Sequence, residues 1–133
     1  MYPNFQPLTD DEIHLITDSV MKTDVNKLKI SDNLGKECDE ENFEYKWKLV
    51  SPEQERLEHL IGQMRYRLTE GNGQCIYRIG IEDNGNPKGI NDQHLIETIK
   101  TIFRLNKQLN GNIEISSIKM GQNGKIAKLI IKN

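Results

Sequence analysis

The chain has 133 residues, of which 29% are charged, with a mean hydropathy of −0.68 and a formal net charge of −2. That length suits one domain with a modest core, and the chain contains no apolar run near the ~20 residues a helical membrane span needs. The opening MYPNFQPLTDDE has neither a basic nor an apolar stretch, so a secretory signal is not expected.

Charge is unevenly spread. Residues 1–42 carry 4 Lys/Arg against 10 Asp/Glu, a net of −6, and residues 43–133 carry 14 against 10, a net of +4. The division predicts an acidic leader over 1–42 followed by a single, mildly basic α/β domain over 43–133. Within the leader, Thr9 and Glu12 stand at capping-box spacing, and Ile13, Ile16 and Val20 recur at helical intervals. A short helix is expected over 9–21, which must dock on something or fray. Periodicity then vanishes, and SDNLGKECDEEN reads as an acidic linker.

FEYKWKLV (43–50) alternates. Phe43, Tyr45, Trp47 and Leu49 fall on one side of a strand and Glu44, Lys46 and Lys48 on the other. The apolar side is expected to face the core, although an aromatic row on an exposed sheet also suits base stacking. Ser51, Pro52 and Gln54 form a helix-start signature with Ser51 as N-cap. Leu57, Leu60, Ile61, Met64 and Leu68 then mark one buried face, with Arg56, Glu58, Arg65 and Arg67 opposite. Gly71 is expected to end the helix in a left-handed conformation.

A second strand is predicted over 74–82, with Gly80 marking a bulge or a close backbone approach. Asp83-Asn84-Gly85 is a turn, and Pro87–Gly89 allows only a short edge return. Asn91 caps a second long helix whose face is Leu95, Ile96, Ile99, Ile102, Phe103 and Leu109. Strands at about 113–120 and 126–132 close the chain as a hairpin around Gly121–Lys125. Of the two cysteines, Cys38 and Cys75, the second alternates into the 74–82 strand and reads as a buried free thiol.

The expected fold is an α+β two-layer sandwich, β-α-β-(β)-α-β-β, with a mixed sheet and two helices on one face. This order is similar to the fold of the Alba nucleic-acid-binding proteins and of the C-terminal domain of translation initiation factor three. A fold of this kind does not fix a function.

Catalytic motifs are not supported. Gly121-Gln-Asn-Gly124-Lys125 has its glycines three apart instead of five, is followed by Ile126 in place of Ser/Thr, and lies between two strands, so it does not match a phosphate-binding loop. Gly71-Asn-Gly73 follows a helix and enters a strand, the reverse of a dinucleotide fingerprint. His14, His59 and His94 are scattered without ligand spacing. No catalytic, cofactor or metal residue is assigned. The basic residues carry more information. Lys119, Lys125 and Lys128 lie on and beside the last hairpin, and Arg65, Arg67 and Arg78 lie near the first helix-to-strand unit. Two readings stay open for the hairpin lysines: contact with RNA or DNA, which the resemblance to the Alba fold implies because its corresponding hairpin is an arm on the nucleic-acid backbone, and protection of a sheet edge.

One stretch carries a resemblance. It runs from EYKWKLV at Glu44 through ERLEHL at Glu55, Gln63-Met64, Arg67-Leu68 and Glu70-Gly71 to Tyr77-Arg-Ile79-Gly80 and Glu82-Asp83-Asn84-Gly85. It is similar to a segment near the N-terminus of the elongation-factor-like GTPases known as GTP-binding proteins one and two, where it precedes the GTPase domain. The resemblance implies an excised N-terminal domain or a stand-alone relative, non-catalytic in itself. It implies a cytoplasmic parent that binds GTP and Mg and acts in translation, with the downstream GTPase domain, ribosome, tRNA or mRNA as partners. Alternatives are a stand-alone Alba-like RNA- or DNA-binding module, and a protein-interaction domain using an exposed Phe43, Tyr45 and Trp47.

Overall fold

The computed structural model describes residues 5–22 and 42–133. The elements are α1 (Asp10–Met21), β1 (Phe43–Lys46), α2 (Gln54–Glu70), β2 (Gln74–Ile79), α3 (Asp92–Gln108), β3 (Asn112–Met120) and β4 (Lys125–Lys132). The strands form one sheet in the order β1-β2-β4-β3. β1 and β2 are parallel, and β4 is antiparallel to both β2 and β3. The fold is therefore α+β with a four-stranded mixed sheet, and three helices cover one face where two were expected. Among the described residues the Pro87–Gly89 return forms no strand; the chain there meets β4 through an isolated bridge between Ile90 and Lys125. The linker and Cys38 lie outside the described residues.

α1 is the third helix. Its capping box forms as the sequence indicates, with Thr9 and Glu12 exchanging side-chain and backbone bonds. Ile16 and Val20 are fully buried, each worth roughly 1.5–3 kcal/mol of burial. That is enough to hold a 12-residue helix that would be marginal in isolation. It packs on α3, where Lys107 Nζ meets Glu12 Oε1 at 2.6 Å and the carbonyl of Pro7 at 3.1 Å.

α3 packs against both other helices. It is capped as the sequence indicates, Asn91 Oδ1 accepting from the His94 N–H at 2.7 Å. Its Thr98 and Thr101 clamp the chain that leaves β1: the Leu49 N–H donates to Thr98 Oγ1 (2.9 Å) and Thr101 Oγ1 donates to the Leu49 carbonyl (3.0 Å). This clamp explains a departure at the start of α2. Pinned to α3, the chain turns sharply at Ser51 (φ 46°), so Ser51 is not the N-cap. The helix begins later, with Glu53 at the cap position and no side-chain bond to it. At the other end Gly71 has φ −94°, and Asn72 and Gly73 take the left-handed conformations instead. A Cβ on Gly71 would lie 1.9 Å from the Gln74 carbonyl, so close approach is what that glycine allows.

The largest correction concerns β1. Only Phe43–Lys46 pairs with β2, and its orientation is the reverse of the amphipathic expectation. Glu44 and Lys46 point under α2, while Phe43 and Tyr45 lie on the sheet face without helices, in a small cluster with Ile81 and Ile126. Past the strand the chain bends at Trp47, which lets Leu49 enter the main core. β2 ends at Ile79, and Gly80 (φ 81°) follows the strand instead of sitting inside it. A Cβ there would lie 3.1 Å from the Lys125 carbonyl.

Candidate nucleic-acid interface

The six basic residues singled out from the sequence divide among three environments. Arg67 is withdrawn from solvent altogether. It falls on the buried stripe of α2 beside Met64 and Leu68, and its Nε donates to Glu44 Oε1 at 2.6 Å. Lys46 Nζ approaches the other Glu44 oxygen at 3.5 Å and also donates to Gln63 Oε1. The apolar stripe alone predicts Arg67 on the solvent face of α2, and the structure turns it inward. Its spacing from Leu60 and Met64, seven and three residues, was the signal for burial, but a buried arginine needs a carboxylate, and Glu44 supplies one only because β1 turns its charged side inward.

Lys125 is also withdrawn. Alternation along β4 turns Lys125, Ala127, Leu129 and Ile131 towards the helices and Ile126, Lys128, Ile130 and Lys132 to the open face. Lys125 Nζ donates to the Val20 carbonyl at the end of α1 (2.9 Å) and pairs with Asp92 in the first turn of α3 (3.2 Å). A cation at one helix C-terminus and an anion at another helix N-terminus suit both macrodipoles. Lys125 therefore does not cluster with Lys119 and Lys128. An offset of three along a strand placed Lys125 and Lys128 on opposite faces from the start. Arg65 is exposed on α2, in the helical layer and away from the open sheet.

The remaining three converge. Arg78 on β2 stands opposite Lys128 on β4, which stands opposite Ser117 on β3. One step along, Lys119 faces Ile126. Together with Ser116 at the β-bulge, these side chains line a depression of about 210 Å³. On its other side Arg78 borders a second depression of about 500 Å³, against Phe43, Tyr45 and Ile76. Among the described residues the open face carries Arg78, Lys119, Lys128 and Lys132 against a single carboxylate, Glu114. Among the described residues no ion pair forms to Arg78, Lys119 or Lys128.

The aromatic residues do not form one exposed row. Tyr45 is 3% exposed, Phe43 is half-buried, and Trp47 lies beyond the strand with Lys88 Nζ 5.3 Å from its ring centre. The glycine-rich segments are committed to folding. The amides of Gly121, Gln122 and Asn123 donate to the carbonyls of Gly124, Pro87 and Lys88, and those of Gly71 and Gly73 donate to Arg67 and Leu68. The hairpin loop is therefore stitched to the 87–90 segment and does not project as an arm. Cys75 is buried and free, and burial pushes its thiol up to about 12, with Glu44 adding to the effect and Arg67 opposing it. No group of three His, Cys, Asp or Glu among the described residues is placed to hold a metal ion, and no described helix is long and apolar enough to cross a membrane.

The fold and this face define a small α+β domain whose helical layer is electrically mixed and whose bare sheet is basic. The chain resembles the GTP-binding protein 1 and 2 family. It is 42% identical to the GTP-binding protein 2 of mouse and of human over 82 residues, which are 62% of this chain and 14% of either relative. It is 28% identical to GTP-binding protein 1 of Xenopus laevis over 87 residues, 65% of this chain and 13% of that protein. The matched stretch is thus about a seventh of the relatives' length. No family model matches, and no solved structure matches.

Proposed function

We propose that this chain is a non-catalytic accessory domain of an elongation-factor-like GTP-binding protein that acts in translation in the cytoplasm, in contact with the GTPase domain, the ribosome or tRNA. The 42% identity to GTP-binding protein 2 carries this reading. The geometry supports an accessory role, because the motif residues behind the resemblance serve the fold. Glu44 and Arg67 form a buried pair, Gly80 allows a close backbone approach, and Glu82–Gly85 closes a turn through a Gly85-to-Glu82 bond. GTP and Mg would be bound by other parts of a parent protein. Likeness to the Alba and initiation-factor-three folds belongs to the same reading and rests on the β-α-β-α-β-β order.

The full-length transcript tests it. The reading frame is expected to continue into a glycine-rich phosphate loop and an Asn-Lys-x-Asp guanine motif. A stop codon soon after Asn133, with no such motifs in frame, overturns the proposal.

A further inference from the structure

We propose that the open face of the sheet binds single-stranded nucleic acid, with phosphates held by Arg78, Lys128 and Lys119 and a base laid against Phe43. The inference rests on the geometry of this face and not on the family reading above.

Three observations carry it. First, charge is segregated: among the described residues four basic side chains and one carboxylate occupy this face of a chain whose net charge is −2. Second, Arg78 and Lys128 are direct cross-strand partners. Like charges in that position destabilise a sheet, and no carboxylate relieves them within the described residues. A polyanion would convert that repulsion into attraction. Third, edge protection does not account for them. In the order β1-β2-β4-β3 both β2 and β4 are central, and only Lys119 stands on an edge strand.

The chemistry of the surroundings fits a nucleotide chain better than an acidic peptide. Ser116 and Ser117 add hydroxyl donors beside the cations. Phe43 stands one strand over and two residues along from Arg78, roughly 8 Å away by ordinary sheet spacings. That separation lets a base reach the ring while its phosphate meets Arg78. Sheet-borne aromatics flanked by cations bind single strands because every base has a stacking face.

The test uses the 133-residue chain with fluorescein-labelled oligouridylate and oligothymidylate of about 12 nucleotides, read by anisotropy. Saturable binding to either strand is expected, and the ratio of the two affinities tells RNA from DNA as the preferred source. With three phosphate contacts, affinity should fall roughly 18-fold between about 50 and about 200 mM salt. Arg78→Glu combined with Lys128→Glu should weaken binding at least about tenfold. Lys119→Gln, at an exposed position that leaves folding intact, should weaken it less and flatten the salt dependence. Phe43→Leu should weaken binding about fivefold or more at unchanged salt slope. Arg56→Glu with Arg65→Glu, on α2, should change it by less than about twofold. Absence of binding at low salt, an equal loss from the α2 variant, equal or tighter binding to a duplex, or equal competition by polyglutamate would each overturn the proposal. None of these outcomes bears on whether a GTPase domain follows in the transcript.

Discussion

Beneath α2, Arg67 and Glu44 form an ion pair at 2.6 Å with both side chains 3% exposed. The pair joins the helix to the edge strand, in a place where a two-layer fold ordinarily has only apolar contacts. Removing one partner strands the other charge in the interior. Arg67→Ala and Glu44→Ala should each lower stability by about 3–5 kcal/mol in urea unfolding. Replacing both by apolar residues of similar volume, as in Glu44→Leu with Arg67→Met, should cost much less than the sum. An additive double variant would mean that the pair is not coupled.

Lys125 ties α1 and α3 to the end of β4 through the Val20 carbonyl and Asp92. Lys125→Met should cost about 1.5–3 kcal/mol, the range for hydrogen bonds made by a charged group. Hydrogen exchange should localise the loss, with amides of α1 losing protection before those of β2. Uniform loss across the domain would show that α1 is docked by Ile16 and Val20 alone.

Two glycines should respond in opposite directions. Gly62 lies inside α2 with nothing within 4 Å of an added Cβ, so Gly62→Ala should stabilise by about 0.5–1 kcal/mol. Gly89 has φ +84°, and its Cβ would lie 2.2 Å from the Gly124 carbonyl. Gly89→Ala should destabilise by more than the ~1–2 kcal/mol of a left-handed alanine. Thermal melts of the two variants decide the matter.

Cys75 sets an alkaline limit. Its thiol stays protonated in the folded chain up to about 12, against 9.0 for the free side chain. Between those values the unfolded chain has lost the proton and the folded chain has kept it, so stability is intact below about pH 9 and falls as pH rises. In a Cys38→Ser background, urea midpoints should drop as pH rises above about 9, and Cys75→Ala should remove part of that slope. At pH 8 iodoacetamide should modify Cys75 only after unfolding.

Glu12 sets a milder limit on the acid side. Its bond to Lys107, with support from the Thr9 amide, holds the carboxyl below its ordinary range. The stabilisation is present above about pH 4.5 and is lost as pH falls through the lowered value. Glu12→Gln should make the docking of α1 less sensitive to acid, read from helical circular dichroism between neutral and acidic pH.

Much of this architecture follows from local pattern. The Thr9–Glu12 capping box, the Asn91 cap, the apolar stripe of α2 and the hairpin after α3 are each set by residues within a turn or two of one another, and backbone geometry fixes their outcome. Alternation along β4 already separated Lys125 from Lys128. What it could not give was the orientation of β1. A period of two defines two faces without saying which one a helix will cover, and FEYK met α2 with its charged side because Arg67 was there to receive Glu44. The meeting of Arg78 with Lys128 was likewise invisible in the sequence. It exists because β4 inserts beside β2 after 45 intervening residues, and only that long-range register places two cations opposite one another on a bare sheet.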